Sequence, residues 1–347
     1  MDMQSFLVAF WIGVAGLSLL LYVVLDGFDL GVGILSLRAC DEDRRNLMMA
    51  SLSSVWDANE TWLVLLGGVL FGAFPLVYAA LMQGLYIPVT LMLFALIMRG
   101  VAFEFSHASE RKWLWNVTFG LGSLGAAITQ GMILGALIQG WPTQAGNYMN
   151  SGWHWFTPFS LLTALGVVLG YALMGAGWLI LKTTGEMQDR AYRRGFLLLL
   201  GTIVTGALVL ALTPVHNAHI AARWSGSSAW PYALAGGAAI FAALLTIWAY
   251  RKRHEYWPFF GTLLLFSASF VGLIASLYPY AITPSLTWND AAASPGTQLF
   301  MLVGILPLIP IMLFYNGYTY LVFSGKVDGA AYGDDEVEPG TAGTSGP

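Results

Sequence analysis

The chain has 347 residues, 57% of them hydrophobic and only 10% charged, and its mean hydropathy is +0.67. An ordinary soluble chain is about 45–50% apolar and about 25% charged, so this composition excludes the soluble globular class and belongs to the membrane class. The net charge of −4 says less than the placement of the charges. The single cysteine, Cys40, excludes a disulfide framework and a thiolate-bound cluster or zinc site, and it reads as a bystander in a loop.

Residues 1–25 are apolar, and Asp2 is their only charge. A secretory signal opens with Lys or Arg and closes on a small-residue cleavage site, so this stretch reads as a retained first span. A crossing needs about 20 apolar residues. Such runs lie near 6–35, 55–74, 77–101, 114–139, 157–181, 196–214, 229–249, 258–282 and 297–324. Pro75, with the short link to Tyr78, predicts a tight reversal that divides the second run from the third. The fold class is therefore all-α, a polytopic membrane protein of about nine transmembrane helices.

The basic residues alternate with these runs. Fourteen of the fifteen Lys and Arg residues fall after odd-numbered spans, from Arg38, Arg44 and Arg45 after the first to Lys326 after the ninth; Arg223 alone follows an even one. The positive-inside rule then places the N-terminus outside and the C-terminus inside. Trp113, Trp115, Trp141, Trp153, Trp155, Trp224, Trp230, Trp257 and Trp288 flank spans, where amphipathic rings favour the headgroup zone. The long basic links after spans one and five, each with an Arg pair, and Pro75 and Pro214 after spans two and six, predict two tandem four-helix bundles, 1–145 and 155–285. A ninth, peripheral helix follows at 297–325, and residues 326–347 form a Gly- and acid-rich tail expected to be disordered and cytoplasmic.

Carboxylates inside a bilayer are costly and are functional candidates by default. They lie only in the first half: Asp26 and Asp29 in span one, Asp57 and Glu60 opening span two, and Glu104 just past Arg99. Asp26 and Asp29 are i,i+3 on one helix face, about 10–15 Å before the inner end of their span. Gly27, Gly31 and Gly33 surround them, and the Gly27/Gly31 spacing lets another helix approach closely. Arg99 closes span three at the same side. Two readings stand for this group: helix capping by Asp57 with ion pairing by Arg99, or a hydrated proton-uptake path from the cytoplasm. His107, His154, His216, His219 and His254 all lie in links or at span ends, where a buried haem would find no axial ligand. His216 and His219 would supply half a metal site, or hydrogen-bond at the interface. No phosphate loop, nucleophile elbow or nucleic-acid patch occurs. Asn116-Val117-Thr118 fits a glycosylation pattern but falls at the inner surface.

Leu25-Asp26-Gly27-Phe28-Asp29-Leu30-Gly31-Val32-Gly33 resembles the first-span signature of subunit II of cytochrome bd-type terminal oxidases. Trp56-Asp57-Ala58-Asn59-Glu60-Thr61-Trp62-Leu63-Val64, Gly67-Gly68 and Phe74-Pro75-Leu76-Val77-Tyr78 follow in that family's order. These motifs cover about the first 110 residues; the remainder is similar in span number and layout. The Asn-Glu pair after Asp57 and the short second half are similar to the cyanide-insensitive branch. The resemblance implies a quinol:dioxygen oxidoreductase of the bacterial cytoplasmic (inner) membrane. Its haem b groups and haem d (or a further haem b) sit in the partner, subunit I, which also handles quinol and dioxygen. Subunit II ligates no haem, packs on subunit I along the first bundle, and serves haem-subunit assembly and proton delivery. A structural quinone and a small accessory subunit occur in some members. Asp29, Asp57 and Arg99 match positions implicated there, and Glu104 stands where an acidic residue is found.

The alternative from another class is a secondary transporter with a cation site at Asp29 and Asp57. It would copurify without a haem-carrying partner and without a Soret band. The topology is tested by reporter fusions: after Leu37 and after Lys326 both should read cytoplasmic, and one after Trp153 external. A cytoplasmic signal at Trp153 breaks the nine-span alternation.

Overall fold

The structure, a computed structural model, describes residues 2–39, 41–109, 111–144, 147–148, 152–226 and 229–327. Cys40, the side chain of His107 and the tail from residue 328 onward lie outside the described residues. Among the described residues thirteen helices follow in chain order: α1 (Met3–Ser36), α2 (Glu42–Ala50), α3 (Trp56–Ala73), α4 (Pro75–Gly84), α5 (Tyr86–Ala108), α6 (Lys112–Gln139), α7 (Pro158–Lys182), α8 (Gly185–His216), α9 (Ala218–Ser225), α10 (Trp230–Arg251), α11 (Trp257–Leu277), α12 (Pro295–Ile305) and α13 (Leu308–Val322). Two small antiparallel hairpins, β1–β2 (Thr143–Gln144, Asn147–Tyr148) and β3–β4 (Tyr280–Ile282, Leu286–Thr287), lie in the links after α6 and α11. Among the described residues, eight helical stretches are long and apolar enough to cross a membrane, and the bent α3–α4 pair makes a ninth.

The break at Phe74-Pro75 is where the sequence puts it. Phe74 closes α3 by donating its N–H to the Leu70 carbonyl, and Pro75 opens α4 at a first-turn position where a missing N–H costs nothing. The two helices meet at 117°. The third span, however, does not begin at 77. Residues 75–84 form the separate short α4, and the crossing helix is α5, starting at Tyr86 after Leu85. A second boundary also moves. The basic stretch after span five is helical from Gly185, so α8 runs 32 residues, about 48 Å at 1.5 Å per residue. Its first turns, with Arg190, Arg193 and Arg194, extend beyond what a hydrocarbon core of about 30 Å can hold.

Helix α1 is central: α3, α6 and α7 all pack on it, α5 packs on α6, α8 on α7, and α10 on α11. Without a hydrophobic drive in lipid, helices gain by close backbone approach. At Gly31 and Gly175 this approach is reciprocal: a methyl built on Gly31 overlaps the Tyr171 carbonyl, and one built on Gly175 overlaps the Gly31 backbone. Beside that contact, Phe28 of α1 stacks on Trp178 of α7 at 4.4 Å between ring centroids.

The basic ends gather in one layer. Arg44 bonds Glu186 at 2.9 Å, Arg194 donates to the Arg38 carbonyl at 3.4 Å, and Tyr192 donates to the Arg253 carbonyl at 3.0 Å. Arg223 sits apart from these, donating to the Tyr232 hydroxyl and the Tyr278 carbonyl. Arg99 is the exception to the sequence count. It lies inside α5 with 1% of its side chain exposed, so it is not a link cation.

The α1–α7 contact yields a paired prediction. Gly31→Ala should lower the thermal midpoint of the purified complex by more than the usual overpacking penalty of about 1–3 kcal/mol implies, because backbone on both sides must shift. Gly236→Ala, on α10 where nothing lies within 4 Å of the added methyl, should leave it unchanged or slightly raised.

Candidate functional site

The apolar bundle buries a charged cluster contributed by α1, α3 and α5. Asp26 and Asp29 are wholly buried on α1. Arg99 reaches them from α5, with Nη1 donating to Asp26 Oδ1 at 2.7 Å and Nη2 donating to Glu60 Oε1 on α3. A guanidinium has no accessible neutral form and its fork spans two carboxylates, which suits it to this place as lysine would not be. Asp29 is outside the ion pair. Its Oδ2 accepts from Asn59 Nδ2 at 2.8 Å, and the same nitrogen donates to the Leu25 carbonyl at 3.3 Å. A pairing of Arg99 with Asp26 and Glu60, rather than with Asp29, is what the sequence could not choose.

Among the described residues, Asp26 Oδ2, Asp29 Oδ1 and Arg99 Nε have no hydrogen-bond partner within the chain. Asp57 and Glu104 are exposed and stand apart from the buried group. Asp57 is not the cap of α3: Val55 occupies that position and no side chain caps the helix. Asp57 sits in the first turn, where the positive helix end favours a carboxylate by about 0.3–1 kcal/mol. The acids of α3 and α1 thus grade inward, from exposed Asp57, through Glu60 with 29% of its side chain exposed, to Asp26 and Asp29 at 0%.

Four polar residues join the cluster without having drawn notice in the sequence. Tyr320 of α13 donates to Asn59 Oδ1 at 2.8 Å. Tyr22 stands one turn from Asp26 on α1 and accepts from Gln130 Nε2 at 2.7 Å, while Gln130 Oε1 accepts from Tyr171 at 2.8 Å. The only sequence signal was Gln130, a carboxamide in the middle of an apolar run. Tyrosines in spans are too common to stand out.

The described histidines remain at helix ends and in links. His216, the last residue of α8, packs on Phe159, His219 lies against Tyr280, and His254 against Trp248. His154 packs on Trp141, and burial holds its imidazole below the usual range. Among the described residues no group of three or more His, Cys, Asp or Glu is placed to hold a metal.

Removing one member of a buried pair strands the other at about 3–5 kcal/mol. Arg99→Gln strands two carboxylates and should cost the most assembled complex in quantitative blots of the membrane fraction. Glu60→Gln should cost little, since its partially exposed carboxylate is only the second partner. Asp29→Asn keeps an acceptor for Asn59 and should also be tolerated. Equal losses for Arg99→Gln and Asp29→Asn would remove the distinction between ion pair and hydrogen bond.

The family model "Cytochrome bd terminal oxidase subunit II" matches residues 7–323. The chain is 28% identical to "Cytochrome bd-I ubiquinol oxidase subunit 2" of Escherichia coli (strain K12), over 91% of this chain and 94% of that one. It is 30% identical to "Cytochrome bd ubiquinol oxidase subunit 2" of Bacillus subtilis (strain 168), over 88% and 92%. Its fold is similar to a chain in the structure of bd oxidase from Geobacillus thermodenitrificans, with a TM-score of 0.75 at 21% identity, covering 91% of this chain and 98% of that one. Sequence over residues 7–323 and fold over nine-tenths of the chain agree, and the chain belongs to the cytochrome bd terminal oxidase subunit II family.

Proposed function

We propose that this chain is the haem-free subunit II of a quinol:dioxygen oxidoreductase of the bacterial inner membrane. In this reading it supports assembly of a haem-carrying subunit I and delivers protons from the cytoplasmic side for the reduction of dioxygen to water. Family membership supports the oxidoreductase setting, and relatives carry ubiquinol oxidase names. The haems, b-type with haem d or a further haem b, belong to the partner, because the described histidines of this chain sit at helix ends against aromatic rings rather than facing one another within the bundle.

The single observation that carries the proton reading is the inward gradation from exposed Asp57 through Glu60 to Asp26 and Asp29. Apolar helices cannot move protons, whereas carboxylates with unpartnered oxygens are the groups that ordered water meets in a protein interior. Asp26 Oδ2 and Asp29 Oδ1 are such oxygens. Arg99 holds the negative charge there without closing the route, since Asp29 is bonded only by a neutral amide on its paired oxygen. The outer faces of α3 and α5 carry exposed apolar side chains, Val64, Phe71, Phe94, Ile97 and Phe105 among them, and this is the face proposed to meet subunit I. The basic layer, with Arg38, Arg44, Arg45 and Lys326, faces the cytoplasm by the positive-inside rule, which puts the cluster at the inner ends of its helices. The transporter alternative gains less from the fold, because the buried carboxylates among the described residues, Asp26 and Asp29, both lie on α1, and α7, the matching helix of the second half, carries none.

The test uses Asp57→Asn. A role limited to the helix end predicts a loss of at most about 1 kcal/mol in stability and normal turnover. Proton delivery predicts intact haem content, slowed quinol oxidase turnover and partial recovery with Asp57→Glu. Full turnover of Asp57→Asn across the pH range would leave Asp57 as a solvated surface carboxylate and end its part in the proposal.

A further inference from the structure

Helix α13 contributes one side chain to the cluster, and its contacts define a role. Most of the helix is exposed, with Asn316 and Thr319 buried and Tyr320 half-buried, the tyrosine hydroxyl donating to Asn59 Oδ1 at 2.8 Å and its ring set edge-on against Phe28 and Trp178 at 6.4 and 6.2 Å. An Asn amide carries an acceptor on one side and donors on the other, and only the network around it fixes which faces which. Here Oδ1 is committed to the tyrosine, so Nδ2 must face the Leu25 carbonyl and Asp29 Oδ2.

The register of α13 is fixed independently. Lys182 of α7, with 6% of its surface exposed, donates to the carbonyls of Phe323 and Gly325 just past the end of α13, the latter at 3.2 Å, and lies 5.0 Å from the Trp178 ring centroid. The Val327 N–H returns a bond to the Lys182 carbonyl at 2.9 Å. The lysine thus neutralises the negative end of the helix while holding Tyr320 at the depth of Asn59.

We infer that Tyr320 is a positioning residue of the proton-delivery cluster: it holds the Asn59 amide with its donor toward Asp29 and so sets the hydrogen bonding of that carboxyl. This deepens the proton reading and rests on it. Asp29 is faced also by Asp26 on its own helix, by Glu60 on α3 and by Arg99 on α5, and none of these is touched by a change at position 320. Losing the tyrosine hydroxyl leaves Asn59 Oδ1 buried without a donor. The amide then holds its orientation by its other two bonds alone, and the donor it offers Asp29 loses the polarisation that a bonded carbonyl oxygen gives it.

The experiment is infrared difference spectroscopy on the purified complex. The Asp29 carboxyl signal is first assigned by its loss in Asp29→Asn, then compared in Tyr320→Phe, Asn59→Leu and the double variant. Tyr320→Phe keeps the ring and its packing, so the complex should assemble with full haem content. The expected result is a shift of the Asp29 signal in position or intensity, and a turnover–pH profile displaced by about half to one pH unit. Tyr320→Phe should add nothing in the Asn59→Leu background. An Asp29 signal unchanged by Tyr320→Phe, or one changed equally with and without Asn59, overturns the inference. If Tyr320→Phe fails to assemble, Lys182→Met takes its place, because it slackens the register of α13 without touching Asn59, and an unmoved Asp29 signal there counts against the inference. The proton reading fails separately, if Asp57→Asn and Asp29→Asn both keep full turnover while the Asp29 signal still responds to Tyr320.

Discussion

Arg99 is buried between two carboxylates in a chain whose composition is otherwise that of lipid-facing helices. Taking a guanidinium and a carboxylate out of water costs several kcal/mol each even after relaxation, and close pairing is what returns that energy. Arginine cannot escape the penalty by shedding its proton. The consequence is geometric. The charged stretches of α1, α3 and α5 must come together with Asp26, Glu60 and Arg99 in reach of one another, or the bundle holds uncompensated charge. The Asn59 amide of α3 adds to that meeting by bonding Asp29 and the Leu25 carbonyl on α1.

The two halves of the chain solve packing differently. Where α1 carries charge, its neighbour α7 carries Tyr171, Met174 and Trp178, and the two helices touch through Gly31 and Gly175. The second half holds its helices with aromatic and small-residue contacts, as at Trp178 and Gly177 of α7 against Phe259 of α11. Its carboxylates lie at helix ends and in links, as with Glu186, which bonds Arg44 and Arg190 at the surface.

The last span is joined at its ends more than along its length. Gln298 Nε2 and the Ala293 N–H both donate to the Ala73 carbonyl, left free where α3 breaks before Pro75, at 3.3 and 2.9 Å. At the far end the clamp is Lys182. Between these points the α12–α13 surface is largely open to lipid, which explains how a peripheral helix can place one tyrosine beside a buried cluster without packing closely against the bundle.

Composition, apolar run length and the alternation of basic residues determined the all-α membrane class and the set of crossing segments, because a bilayer demands continuous apolar helices and penalises misplaced charge. The acids and Arg99 were also legible, since charge in an apolar run is rare enough to be seen without neighbours. What the linear order could not contain was the partner of each charge. Asp26 and Asp29 are one turn apart and equivalent by spacing, yet the place α5 takes in the bundle gives Arg99 to Asp26 and leaves Asp29 to Asn59. The same holds for Asp57, a capping candidate by position that the actual start of α3 leaves exposed in its first turn. It holds too for Tyr320, 261 residues from Asn59 in the chain and one hydrogen bond from it in space. Helix existence is a local property of residues and solvent, while pairing depends on rotation and depth among helices, and only the packed bundle fixes those.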